Sequence, residues 1–176
     1  MSTDPEFTFC IKLDEIPKGR PLEKEVTAND TECAALSKRF DVQGLKDVTA
    51  QLVLVKQGGG HIIKVEGRFT AHVTQECIVT LAPVLETVEG QVEAYYTDIA
   101  PVASLAQEVE MQSESDAPEF IKDGKIDVGE LVAQHIALEI NPYPRAEGVE
   151  FDPEQAKSGD TENPFAVLKV LKSSDE

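Results

Sequence analysis

Apolar residues Phe7, Phe9, Ile11 and Leu13 alternate with Thr8, Cys10 and Lys12 near the start of the chain. This period of two is the signature of a half-buried strand. Pro17, Gly19 and Pro21 break it. Asn29, with Glu32 three residues on, makes a capping box, and Cys33, Leu36 and Phe40 follow at helical spacing up to the Asp41–Gly44 turn, predicting a short helix over 29–40. Residues 45–57 read as a strand, with Val48, Ala50, Leu52 and Leu54 on one face and Val53 and Val55 adding apolar character to the other. Its far end is expected to be buried on both sides. The triplet Gly58, Gly59 and Gly60 reverses the chain, and alternation resumes from His61 to about Val79 through Ile63, Val65, Phe69, Ala71, Val73 and Cys77. A long β-hairpin is predicted, with Gly67 marking a bulge or sharp coil in its second strand.

After Ala82 and Pro83, residues 84–97 form a further strand: Val88, Val92, Ala94 and Tyr96 face one way, and Glu89, Gln91, Glu93 and Tyr95 the other. Residues 98–118 lack a period and read as a loop. The clearest helix begins at Asp127, which caps it while Glu130 completes the box and Ile126 meets Leu131 as a hydrophobic staple. Val128, Leu131, Val132, His135 and Ile136 form its apolar stripe, which must lie on the sheet. Asn141, Pro142, Tyr143 and Pro144 stop this helix, spanning 127–140, because proline lacks the amide donor. A polar stretch, 145–162, is expected to be a mobile acidic linker. Asn163 and Pro164 then open a final short helix over 163–172, with Phe165, Leu168 and Leu171 on one side. That stripe either folds back onto the core or serves as a partner-binding element.

The predicted architecture is α+β: a mainly antiparallel β-sheet or open barrel, two packed helices, and a short C-terminal helix, with residues 1–144 as a single domain. A chain of 176 residues suits one core. Met1 to Glu6 has acids and a proline where an export signal needs basic residues and an apolar run. The longest apolar runs, Leu52–Val55 and Ile136–Leu138, fall well short of the ~18 residues of a membrane span. Three widely spaced cysteines, Cys10, Cys33 and Cys77, suit a reducing compartment. A cytoplasmic protein without membrane association is expected.

Charge narrows the choice of partner. The formal net charge is −17, from 33 acids and 16 bases, which opposes the phosphate contacts that supply most nucleic-acid affinity. The imbalance lies in the second part of the chain: residues 1–75 hold 11 acids and 10 bases, residues 76–176 hold 22 acids and 6 bases. Residues 69–121 contain no Lys or Arg, yet carry ten acids. Such a field either keeps the surface solvated or receives a basic partner. On the second reading Glu86, Glu89, Glu93, Asp98, Glu108 and Glu110 form the acidic docking face, and Phe165, Leu168 and Leu171 on the tail helix add an apolar contact.

No catalytic or metal constellation stands out. Zinc needs about four ligands in close pairs, whereas His61, His72 and His135 are isolated and the cysteines unpaired. Cys77 falls on an inward strand position, where a thiol is inert packing. The three glycines lack the Lys-Ser/Thr of a phosphate loop. Neither cofactor nor metal is expected, and no enzymatic role.

Three stretches carry a likeness to a known family. The first runs Val65-x-Gly67-x-Phe69-x-Ala71-x-Val73, then Cys77 and Leu81. The second comprises Ile126, Asp127, Val128, Glu130, Leu131 and Val132, then Ile136, Leu138, Asn141, Pro142 and Pro144. The third is Asn163, Pro164, Phe165 and Ala166 with Leu168 and Leu171. Together they resemble the YceD family, the large ribosomal RNA subunit accumulation proteins. Many members of the family carry a C-x-R-C-L-like sequence at the strand end and a cysteine cluster after the proline stop. Here Cys77-Ile78-Val79-Thr80-Leu81 keeps one cysteine and Arg145–Glu162 has none, so the resemblance is to a short-tailed branch without the metal site that some relatives assemble. The resemblance implies a role in 23S rRNA accumulation and large-subunit assembly. The acidity then favours a basic ribosomal protein or assembly factor as partner, with an indirect association with 23S rRNA. Two alternatives stand beside it: a direct rRNA binder using Lys18, Arg20, Lys24, Lys38 and Arg39, and a hydrolase or nuclease built from scattered carboxylates.

Overall fold

A computed structural model of the chain describes residues 6–99 and 118–150. The chain divides into two compact units, Met1–Ala146 and Glu147–Glu176, and the fold described below is that of the first. The tail helix expected over 163–172, and most of the linker before it, lie outside the described residues.

Among the described residues, seven strands and two α-helices follow one another as β1 (Cys10–Lys12), β2 (Leu22–Thr27), α1 (Asp30–Arg39), β3 (Gly44–Gln57), β4 (Ile62–Glu76), β5 (Pro83–Thr97), β6 (Glu119–Phe120), β7 (Lys125–Asp127) and α2 (Val128–Glu139). Five strands form one sheet in the order β2-β3-β4-β5-β6, antiparallel except for the short parallel β5–β6 pair. Its end strands do not pair with each other, so the sheet is open and the α+β architecture holds without a closed barrel. β1 and β7 form a separate two-stranded ribbon.

Alternation along β3 and β4 builds the core. Ala50, Leu52 and Leu54 on β3 and Ile63, Val65, Phe69, Ala71 and Val73 on β4 are buried on one face, joined by Val88 and Val92 of β5. Cys33 and Leu36 of α1 and Val128, Leu131, Val132 and Ile136 of α2 belong to the same cluster. Both helices therefore cover the same face of the sheet. Among the described residues, no element covers the other face.

Four expectations need correction, the first being burial of both sides at the far end of β3, where Val53 and Val55 are only half-buried; one strand, β2, was unforeseen. The strand at 7–13 shrinks to β1: Phe7 and Ile11 are buried, but Phe9 is 36% exposed, because its backbone is engaged elsewhere. β2 was not legible, since Glu23, Lys24 and Glu25 interrupt the weak alternation of Leu22 and Val26. The irregularity expected at Gly67 lies instead in β3 between Lys46 and Thr49, where Asp47 adopts a positive φ of 52°. Gly67 keeps regular pairing and is glycine because a Cβ there would collide with the Gln51 carbonyl oxygen. The strand expected to run to Val79 ends at Glu76.

Helix α1 starts as its sequence predicts. Asn29 Oδ1 accepts the N–H of Thr31 at 2.9 Å and of Glu32 at 3.0 Å, and the Glu32 carboxylate accepts the Asn29 N–H at 2.8 Å. Helix α2 departs from the reciprocal box. Asp127 Oδ1 accepts from Gly129 and Glu130 at 3.1 and 3.2 Å, and also from the Phe9 N–H at 2.9 Å. The Val128 N–H returns a bond to the Phe9 carbonyl at 3.0 Å. One carboxylate thus caps a helix and moors the N-terminal segment across it. That segment lies so close that a Cβ on Gly129 would sit 2.7 Å from Phe9 N and 2.8 Å from Phe7 O. Glu130 does not complete the box; it meets Arg39 at the end of α1, with both N···O distances 2.7 Å.

Asp127→Ala removes an acceptor shared by three N–H groups and is expected to cost about 2 kcal/mol of stability in urea denaturation. Asp127→Asn, which keeps an acceptor oxygen, should retain most of it.

Candidate functional site: an uncovered sheet face and a thiol-closed loop

The strand registers assemble the uncovered face row by row. Cross-strand partners in an antiparallel sheet lie on the same side, so Glu23, Val53, Glu66 and Glu93 form one row across β2 to β5. Beside it run Glu25, Gln51, Arg68 and Gln91, then Thr27, Thr49, Thr70 and Glu89. On the other flank stand Val55, Lys64 and Tyr95. Across these rows five carboxylates share one face with two cations, Lys64 and Arg68.

Lys64 is already committed. Its ammonium lies 2.6 Å from Glu66 and 3.3 Å from Glu93, and 5.9 Å from the centre of the Tyr95 ring. The bonds to Glu66 and Glu93 hold its proton more firmly than usual. The Tyr95 hydroxyl donates to Glu93 at 2.8 Å; that bond first, and Lys64 second, push the Glu93 carboxyl below its ordinary range. This cluster relieves the repulsion between Glu66 and Glu93, which stand directly opposite each other. Glu23, Glu25 and Glu89 are exposed and have no ion-pair partner among the described residues.

The acids singled out from sequence are not all brought together. Glu89 and Glu93 share the uncovered face. Glu86 has the opposite parity and lies on the helix-covered side of β5 beside Val88. Asp98 stands beyond the end of the strand, 3.0 Å from His61 Nδ1. Glu108 and Glu110, like Phe165, Leu168 and Leu171, lie outside the described residues. Glu23, Glu25 and Glu66 were missed because they come from the nearly neutral first part of the chain; only strand pairing adds them to the face.

Among the bases of the RNA-binding alternative, Arg39 is held by Glu130 and by Glu6 at 3.1 Å. Its hydrogen bonds to Glu130 dominate the rise in its pKa. Lys18 and Arg20 lie in the connection between β1 and β2, Lys24 on β2 and Lys38 on α1. Among the described residues, no three His, Cys, Asp or Glu side chains converge as a metal site requires. None of the described helices is long and apolar enough to cross a membrane.

At the end of β4 the chain makes a compact loop closed by sulfur. The Cys77 N–H bonds to the Ala82 carbonyl at 2.8 Å and the Leu81 N–H to the Cys77 carbonyl at 2.9 Å. Thr80 and Ala146 direct their N–H groups at Cys77 Sγ, at 3.5 and 3.3 Å. Nearby, Ile78 N–H reaches the Pro144 carbonyl at 2.9 Å and Gln75 Nε2 the Asn141 carbonyl at 2.9 Å. The proline stop is thereby tied to the strand end. Cys77 is fully buried, yet hydrogen-bond donors converge on its sulfur. Hydrogen bonding therefore outweighs burial: the Thr80 side chain first, then the N–H groups of Ala146, Thr80 and Val79, lower the thiol to about 6. Cys33 behaves oppositely, its pKa raised chiefly by burial. Cys77 is thus more than apolar packing.

A family model described as large ribosomal RNA subunit accumulation protein YceD matches residues 65–172. The chain belongs to the YceD family. No curated protein and no solved structure matches it significantly. The YceD match begins at the buried face of β4 and takes in the Cys77 loop, the uncovered face of β5, and the Asp127-capped helix. The position of the second cysteine in the family's C-x-R-C-L-like sequence is occupied by Thr80, which supplies hydrogen bonds to Cys77.

The Cys77 thiolate is favoured in the fold, so its contribution is fully present above the unfolded thiol value of 9.0 and is lost as pH falls through about 6. The melting temperature of the protein relative to Cys77→Ala should therefore rise between pH 6 and 9 and stay level below 6. Thermal scans across that range, with thiolate absorbance as a second readout, check it.

Proposed function

We propose that this YceD-family chain is a non-enzymatic factor in large-subunit assembly, working in the cytoplasm by holding a basic ribosomal protein or assembly factor on its uncovered sheet face. The family match carries the tie to large-subunit rRNA accumulation. The observation that carries the mode of action is the four-row patch of that face: five carboxylates and two cations, three of the carboxylates unpaired, with Lys46 as a third cation in the adjoining row beside His72, on a sheet whose other side holds both helices. A surface of this sign in a chain of net charge −17 speeds encounter with a positive partner and repels bare phosphate backbone. Electrostatics then sets register and rate, while apolar contacts supply much of the affinity. A basic segment held here is also kept from premature contact with rRNA, so association with 23S rRNA is indirect.

Affinity purification from cells, with identification of bound proteins and RNA, tests this reading. Ribosomal or assembly proteins should be recovered at physiological salt, and recovery of RNA alone would refute it. Glu23→Gln, Glu25→Gln and Glu89→Gln together, all exposed and unpaired, should leave stability unchanged and slow association with the recovered partner roughly tenfold at low salt.

A further inference from the structure

Among the described residues, strand β5 is open along most of one side. All fifteen of its residues pair with β4, but β6 covers only Tyr96 and Thr97. In an antiparallel pair, the N–H and C=O of alternate residues turn toward the neighbour, and those between turn away. Two bonds decide which are which. Asp98 N–H reaches the His61 carbonyl on the β4 side at 3.4 Å, and Ile121 N–H reaches the Thr97 carbonyl on the far side at 2.8 Å. Even-numbered residues therefore bond to β4. Leu85, Thr87, Glu89, Gln91 and Glu93 turn both backbone groups outward, and these groups have no partner among the described residues. All five residues are exposed. The open edge is roughly 27 Å long.

Edges of this kind are usually blunted by lysine, proline or a bulge. Here Pro83 guards only the beginning, the β4–β5 register is unbroken, and no lysine occurs on the strand. Charge selects what the edge accepts. Glu89 and Glu93 lie on its uncovered side; on the other side are Glu86 and Glu139, whose side chain lies over Gly90. A second copy paired edge to edge would set these glutamates against their equivalents on two chains that each carry −17, and directly opposed like charges destabilise a strand pair. The same glutamates attract an extended segment with cations at alternate positions. Main-chain bonds then supply affinity and side chains supply selection.

We infer that the open edge of β5 takes up an extended basic segment of a partner protein as an added strand. This rests on the acidic-face reading above and specifies how that face engages its partner. The probe is a peptide of about ten alternating lysines and valines, matched to the open edge, compared with the same peptide N-methylated at every residue, which keeps the charge but has no backbone donor. The first peptide should slow amide exchange of the full chain at residues 85, 87, 89, 91 and 93, and the second should bind at least roughly tenfold more weakly. Gln91→Pro should weaken binding of the first peptide similarly: it removes an outward N–H at an edge position where proline is tolerated, and leaves the charge unchanged. Equal binding of the two peptides, or slow exchange of those amides in the free chain, overturns the added strand and leaves the acidic face standing. Failure of the lysine–valine peptide to bind overturns both. Should Gln91→Pro not fold, the two peptides still decide the matter.

Discussion

The constraint on which the rest depends is the alternation of side chains along β3 beyond its Lys46–Thr49 irregularity, β4 and β5. These strands are 14, 15 and 15 residues long, and a slip of one residue in either pairing would turn an apolar face to water. The buried set from Ile63 to Val73 therefore specifies the register of β4 against both neighbours. Once that register is set, the composition of the opposite face is no longer free. Glu66 must stand between Val53 and Glu93, and Thr70 between Thr49 and Glu89. The acidic surface is thus the reverse side of the core, produced by the same hydrophobic burial.

Placement of the helices decides what that surface is available for. α1 and α2 both use the apolar face, and the Arg39–Glu130 pair links the end of one to the start of the other. Their burial commits one side of the sheet, and among the described residues no layer covers the other. Sheets with one solvated face are common where strands run antiparallel. The unusual feature is the distribution of charge: Lys64 is absorbed by Glu66 and Glu93, and Arg68 alone stands among Glu23, Glu25 and Glu89, with no ion pair to any of them. An unpaired strand edge beside such a face combines a main-chain template with an electrostatic filter. The two features act together because the residues that turn their backbone outward on β5 are also those whose side chains lie on the acidic face.

The Cys77 loop shows how hydrogen bonding can outweigh burial. A covered thiol ordinarily resists ionisation, as Cys33 does. At Cys77 the loop backbone turns its N–H groups inward and Thr80 adds its side chain, so the sulfur becomes an acceptor that holds the strand end, residues 77–82 and Ala146 together. A family position elsewhere filled by cysteine is here filled by a residue that can still donate to its neighbour.

Local chemistry determined much of this protein from the sequence alone. The Asn29–Glu32 cap, the long hairpin around Gly58–Gly60, the strand after Pro83 and the helix from Asp127 were all legible, because caps, turns and period-two burial act within a few residues. The family likeness over the second part of the chain was legible for the same reason. Tertiary structure alone decided the rest. Leu22–Thr27 became a strand because β3 offered it a partner, which its own charged residues did not announce. Glu86 is the exception: the period of two already set it with Val88 and Val92, and only its charge had grouped it with Glu89 and Glu93. Glu23, Glu25 and Glu66 joined the acidic face, since hydrogen-bonded pairing brings together residues that no local pattern connects. Cys77 acquired its donors from a loop closed by distant Ala146. Sequence sets which residues seek burial; only the paired and folded sheet sets which charges become neighbours, because register is a relation between strands.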